Sequence, residues 1–145
     1  MTLQSNKYTE GSKVSDLIHW ESHRAYNYVS QNVQATTAVT DKEILGQPVR
    51  LNGANWEFVA IANIASATHI VAEQRKTTLA LNAKLDNVLL LERGPAMVLK
   101  TGYPAETIYG EAMTATQYEV ILDGMSPPVK VFVDDITPKR QGIFG

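Results

Sequence analysis

The strongest apolar pattern in the chain is the run V-L-L-L-E-R-G-P-A-M-V-L-K. Branched aliphatic residues bounded by glycine and proline favour strands over a helix. We therefore predict two short strands, 88–92 and 96–100, joined by a structural corner at Arg93, Gly94 and Pro95. Four consecutive apolar residues predict that the first strand is buried on both faces. A positive φ at Gly94 would let the chain bend there.

Shorter patterns before this run predict more strands. Alternation around residues 26–33 indicates a first strand, and Asp41-Lys42-Glu43 is typical of a turn. Residues 44–51 form a second strand interrupted by Gly46 and Pro48. The dipeptide Asn52-Gly53 predicts a tight hairpin turn that leads into residues 56–59. An alanine-rich stretch then predicts a helical turn and a strand at 69–73.

One helix is predicted, at residues 114–123. Thr114 can cap it, Gln117 completes a capping box, and Gly124 follows its end. Its apolar stripe is formed by Tyr118, Ile121 and Leu122. A last strand at 129–133 should point Lys130 and Phe132 away from its valines. Together these elements predict an α+β fold that is predominantly β, a small mixed-sheet or barrel-like domain with one short helix.

The chain termini differ from this middle part. Residues 1–24 are polar and without periodicity, yet they carry apolar residues such as Leu17, Ile18 and Trp20. Such a segment either folds back on its own domain or binds another chain and becomes ordered there. We therefore divide the chain into an extended N-terminal arm (1–24), a β-rich domain (25–133) and a C-terminal tail (134–145).

Composition limits the classes of function. The chain has 145 residues, the size of one domain, with a net charge of -2 and no cysteine. Near-neutral charge argues against a nucleic-acid partner, and no run approaches the roughly 20 apolar residues of a membrane span. The first residues carry no apolar signal core. These features predict a soluble protein made in the cytosol, without membrane contact.

Candidate chemistry is sparse. His19 and His23 have the i, i+4 spacing of helical metal ligands, but no third ligand stands nearby. Asp123, Asp134 and Asp135 are better explained as solvated carboxylates. No serine lies in a G-x-S-x-G elbow, and no glycine-rich phosphate loop is present. We therefore expect no catalytic residue, no cofactor, no metal and no enzymatic activity.

Four segments in order resemble a known family. They are I-L-G-Q-P-V at residues 44–49, the Asn52-Gly53 turn, H-I-V-A at 69–72 and L-L-L-E-R-G-P-A-M-V at 89–98. Their order and spacing resemble the head decoration proteins of tailed bacteriophages, the phage lambda D type. The S-D-L-I stretch before them is also similar. The resemblance extends over about residues 15–133, and its Arg-Gly-Pro-Ala block is short.

This resemblance implies a homotrimer bound to the outside of an icosahedral capsid, with the major capsid protein as its partner. It also implies an N-terminal arm that becomes ordered on the shell by adding to capsid strands. On this basis Val14, Leu17, Ile18 and Trp20 are predicted to bind the capsid. The tail at 134–145 and the Pro127-Pro128 ending depart from the family pattern. The expected location is the outer surface of the virion.

A second hypothesis comes from a different class. The aromatic residues Trp56, Tyr103 and Tyr109 would line a pocket in a small β-rich ligand-binding or sugar-binding domain, or in a hydrolase. Aromatic clusters of this kind are more often part of a core. Co-elution with empty capsids separates the two hypotheses, because only a decoration protein binds them.

Overall fold

Five strands of the chain close into a barrel. The computed structural model describes Val14, residues 17–21 and residues 24–133. The strands are β2 (Tyr28–Gln34), β4 (Pro48–Asn52), β5 (Asn55–Phe58), β6 (His69–Val71) and β8 (Lys84–Leu91). Around the barrel, β2 neighbours β5, β5 neighbours β4, β4 neighbours β6, and β6 neighbours β8, which returns to β2. The pair β2–β5 is parallel, and the other pairs are antiparallel.

A second, three-stranded sheet is ordered β1–β9–β10. It contains β1 (Ile18–Glu21), β9 (Ala96–Leu99) and β10 (Val129–Phe132). The central strand β9 is antiparallel to β1 and parallel to β10. A two-stranded ribbon pairs β3 (Val39–Glu43) with β7 (Lys76–Leu79).

The helices between residues 24 and 133 are short. They are α1 (Arg24–Asn27), α2 (Ala115–Asp123) and two 3₁₀ segments, Ile61–Ser66 and Lys100–Gly102. The predicted capping box of α2 is confirmed, since the Thr114 side chain accepts from the Gln117 amide and the Gln117 side chain accepts from the Thr114 amide. The predicted stripe of Tyr118, Ile121 and Leu122 is buried. The Tyr118 hydroxyl donates to the Gly46 carbonyl at 2.7 Å, which ties α2 to the barrel.

Two hydrophobic clusters form the core. One brings together side chains of the barrel strands and the β3–β7 ribbon, including Phe58 and Leu90. The other joins the barrel to α2 and the three-stranded sheet, and it includes Leu17, Val98 and Tyr118. The predicted class, a predominantly β α+β fold with one short helix, is confirmed.

The predicted corner joins the barrel to the three-stranded sheet. β8 ends at Leu91 and β9 begins at Ala96, close to the predicted strand ends. The peptides Gly94–Pro95 and Ser126–Pro127 are both cis. The predicted positive φ at Gly94 is wrong. Glycine is required there for space, because an added Cβ would collide with the Pro128 carbonyl oxygen.

Two local turn predictions need correction. Asp41 and its neighbours belong to β3 and do not form a turn, although Asp41 has a φ of 51° where the β3–β7 register shifts. The hairpin between β4 and β5 is confirmed, but its turn residues are Gly53 and Ala54, because Asn52 pairs with Asn55. The predicted tail at 134–145 and the first thirteen residues lie outside the described part of the chain.

Candidate interaction surface

The three-stranded sheet presents a partly apolar face to solvent. Trp20 on β1 is in register with Met97 on β9, and Met97 is in register with Lys130 on β10. Laterally paired residues share one face of a sheet. Trp20 is 50% exposed and Met97 is 37% exposed. These residues, together with His19 and Phe132, are called the outer face below.

A ring stack extends this outer face. The His19 and Phe132 rings are parallel within 9°, with centroids 4.2 Å apart. His19 lies on β1 and Phe132 on β10, so the two rings meet over β9, which lies between those strands. Phe132 alternates with Val131 and therefore shares the face of Lys130, as the sequence predicts.

An irregularity in β1 explains why Trp20 faces outward. Residues two apart on a regular strand point to the same side. Ile18 is buried in the core and Trp20 is half exposed, and the β1–β9 register shifts between them. An extra residue at a bulge reverses the side on which the following residues point. The bulge therefore buries Ile18 and presents Trp20 to solvent.

The predicted capsid-binding residues have different environments. Leu17 is fully buried, Ile18 is buried beside it, and Val14 packs partly against the same cluster. The Leu17 carbonyl accepts from the Leu99 amide at 2.8 Å. The sequence left two alternatives for the arm, folding back on its own domain or binding another chain. The described residues of the arm follow the first, because they pack on their own domain. Of the four, only Trp20 is available at the surface, and a capsid contact by the others stays a prediction.

Both outer strands of this sheet have an open side. β1 and β10 stand at its two ends, and within the described chain no further strand pairs with either of them. An open strand edge offers backbone donors and acceptors to an extended segment of another chain. The surface can thus bind a protein partner through exposed apolar side chains on its face and through backbone hydrogen bonds at its edges.

The corner residues act structurally. The Gly94 amide donates to the Pro127 carbonyl at 2.8 Å, and the Asn27 side chain donates to the Pro95 carbonyl at 3.1 Å. The Arg93 guanidinium lies 4.6 Å from the Tyr26 ring centroid, within the range of a cation–π contact. These contacts hold β9 beside β10 and beside α1, and so they fix the sheet that carries the outer face.

The described residues contain no candidate metal site. That part of the chain holds no group of three His, Asp or Glu side chains able to bind a metal ion. His23, Asp134 and Asp135 lie outside it, so the geometry of the His19–His23 pair and of the three aspartates is not described.

One histidine is buried. His69 Nδ1 lies 2.7 Å from the Thr68 hydroxyl, and the His69 ring meets Trp56 edge-on at 4.7 Å. Its Nε2 lies 3.5 Å from a Glu92 carboxylate oxygen. Burial lowers the pKa of His69, and Glu92 opposes part of that shift.

The aromatic residues of the second hypothesis have separate roles. Tyr103 packs against Tyr118 with ring centroids 4.5 Å apart, and burial raises the pKa of its phenol. The Tyr109 hydroxyl donates to the Phe58 carbonyl at 3.1 Å and accepts from the Thr36 amide at 2.9 Å. Trp56 packs on His69. Tyr103 thus packs against α2, whereas Tyr109 and Trp56 contact residues of the barrel. None of the three lines the groove between α2 and β10 or the one between α2 and residues 65–68.

Comparison with known proteins adds no assignment. No protein-family description, no curated protein and no solved structure matches this chain. Across the described residues, no helix combines the length and apolarity that crossing a bilayer requires.

Proposed function

We propose that this protein is a decoration protein of a bacteriophage head, without enzymatic activity. It would bind the outer surface of the expanded capsid as a homotrimer, with the major capsid protein as partner. A trimer that binds the expanded shell and not its precursor stabilises the shell by mass action. Three linked contacts would also bind more tightly than one.

The observation that carries this proposal is the outer face between two open strand edges. Large apolar side chains at the surface mark protein contacts when they lie together. Trp20 and Met97 are neighbours across two strands, and Lys130 stands beside them. The family resemblance supplies the kind of partner. Its quoted segments fall at the start of β4, at the β4–β5 turn, in β6 and at the β8–β9 corner, and the last of these leads directly into the outer face.

The exposed part of Trp20 sets the expected size of the effect. An aromatic side chain offers about 150–250 Å² to burial, and half of Trp20 is exposed, so roughly 100 Å² is available. At about 25 cal/mol per Å² this is about 2.5 kcal/mol. Such a loss at one site weakens binding between about tenfold and about a hundredfold.

Binding to capsids tests the proposal. Undecorated expanded phage heads are mixed with the protein and sedimented. We expect co-sedimentation at a stoichiometry consistent with threefold sites, and Trp20→Ala should bind at least about tenfold more weakly. Leu81→Ala is the matched control, because Leu81 is 61% exposed on the β7–β8 connection and lies outside the outer face.

Two results would reject the assignment. The first is wild-type protein that stays in the supernatant with expanded heads at concentrations that saturate decoration sites. The second is equal binding by Trp20→Ala and Leu81→Ala, which would remove the outer face from the contact.

A further inference from the structure

A groove runs between α2 and the open edge of β10. Its volume is about 310 Å³. On the helix side it is lined by residues at i, i+3, i+4 and i+7, which form one continuous stripe. On the sheet side it is lined by three successive residues of β10. The lining residues are Thr116, Glu119, Val120, Asp123, Val129, Lys130 and Val131.

This helix stripe is separate from the one that packs in the core. Tyr118, Ile121 and Leu122 are buried, whereas Val120 is 60% exposed. An exposed valine at the centre of a groove offers apolar area that α2 does not need for its own packing. The groove therefore has an apolar contact point facing a strand edge.

The β10 edge adds backbone groups to this groove. β10 pairs with β9 on one side only, within the part of the chain that the structure covers. A groove between a helix and an open strand edge is the geometry in which an extended peptide adds as a further strand. Main-chain hydrogen bonds then supply affinity, and alternate side chains enter the groove.

The charges on α2 indicate which peptide fits. Asp123 is the last residue of α2 and Glu119 is its central residue, and the last turn holds no basic residue. The Asp123 carboxylate faces the negative pole of the helix dipole, an unfavourable placement. The ion pairs formed among described residues use other side chains. Lys130 on β10 also lines the groove and offsets part of this negative charge, and a cationic side chain of a partner beside Asp123 and the helix end would offset the rest.

We propose that this groove binds an extended segment of a partner protein as an added strand along β10. The segment alternates apolar and basic residues, with an apolar side chain against Val120 and a Lys or Arg beside Glu119 and Asp123. This inference goes beyond the capsid proposal, because it concerns the groove between α2 and β10 and not Trp20 and Met97, although Lys130 belongs to both surfaces. A chain that holds both contacts would bridge two partners or two parts of one partner.

A nuclear magnetic resonance titration tests the proposal on the full chain. The ¹⁵N-labelled protein is titrated with the blocked hexapeptide acetyl-Lys-Val-Lys-Val-Lys-Val-amide. We expect amide shifts in β10 and in α2, and none in the β4–β5 hairpin at the barrel. A peptide with Glu in place of Lys should bind at least about tenfold more weakly, because its charges repel both carboxylates. A peptide N-methylated at alternate residues should lose a similar factor, because it lacks strand donors.

Matched variants locate the contact. Asp123→Lys should weaken the Lys-Val peptide at least about fivefold and reduce the discrimination against the Glu-Val peptide. Asp86→Lys makes the same charge change at an exposed position of β8 outside the groove and should change binding less than about twofold. Shifts that map away from β10 would overturn the proposal, as would equal binding of the N-methylated peptide. Self-association through β10, seen as concentration-dependent shifts without peptide, would also reject it in favour of a second copy as occupant.

Discussion

Replacing Gly94 by alanine tests the corner that positions the three-stranded sheet. An added Cβ at Gly94 would collide with the Pro128 carbonyl oxygen, which is backbone and cannot rotate away. Pro128 precedes Val129, whose Cα partner in the sheet is Ala96, so relief of the collision must displace the start of β10. Overpacking of this kind costs about 1–3 kcal/mol. Loss of the 2.8 Å bond from the Gly94 amide to Pro127 would add about 1 kcal/mol.

Two other glycines provide the comparison. Gly53 has a φ of 64° with nothing within 4 Å of an added Cβ, so Gly53→Ala carries only the left-handed penalty of about 1–2 kcal/mol. Gly124 has a φ of -78°, and the nearest atom to its added Cβ lies at an ordinary 3.4 Å. Gly124→Ala should therefore change stability by less than about 1 kcal/mol, in the stabilising direction through the unfolded chain.

Urea unfolding followed by far-UV circular dichroism measures the series. We expect the unfolding free energy to fall by about 2–4 kcal/mol for Gly94→Ala, which at roughly 3 °C per kcal/mol lowers Tm by about 6–12 °C. The unfolding free energy of Gly53→Ala should lie between those of Gly94→Ala and Gly124→Ala. If Gly94→Ala is no less stable than Gly53→Ala, the contact with Pro128 does not constrain the corner, and the steric argument for Gly94 is refuted.

Two further predictions concern the buried residues. Leu17→Ala should lower the unfolding free energy by about 2–5 kcal/mol, because Leu17 is fully buried, whereas Trp20→Ala should cost less, because half of its side chain is already exposed. Equal urea midpoints for the two variants would mean that Leu17 does not pack in the core in solution. Because burial lowers the pKa of His69, the unfolded chain binds more protons than the folded one, so stability should fall as pH drops below about 6.5. In unfolding experiments at pH 7, 6 and 5, His69→Gln should lessen this decline of the unfolding free energy. If the variant loses stability with falling pH as steeply as the wild type, groups other than His69 cause the decline.

Local sequence signals predicted several elements because their causes are local. The capping box at Thr114 and Gln117 depends on residues three apart, and the structure contains it. The apolar run through Val88 and Leu91 predicted a deeply buried strand, since such composition cannot face water over its whole length. The same run could not reveal that β8 closes a barrel with β2, because that pairing joins distant residues.

The outer face was only partly predictable, for the same reason. The sequence predicts one role, capsid binding, for Val14, Leu17, Ile18 and Trp20, because all four are apolar residues in a polar segment. Their division between core and surface depends on the register shift in β1, which is set by pairing with β9. A bulge leaves no signature in a four-residue strand. The sequence places Phe132 on the face of Lys130 and predicts a strand at Met97, but that Met97 joins this face follows only from the lateral register across β9 and β10.

The organisation of the three-stranded sheet connects the two proposed contacts. β9 is its central strand, and it is held on one side by β1 and on the other by β10. The corner at Gly94 sets where β9 meets β10, because the Gly94 amide bonds to Pro127 just before β10 begins. Lys130 belongs both to the outer face and to the groove beside α2. A partner strand added along β10 would therefore change the surroundings of Lys130. Any partner held on the outer face would experience that change through the same side chain.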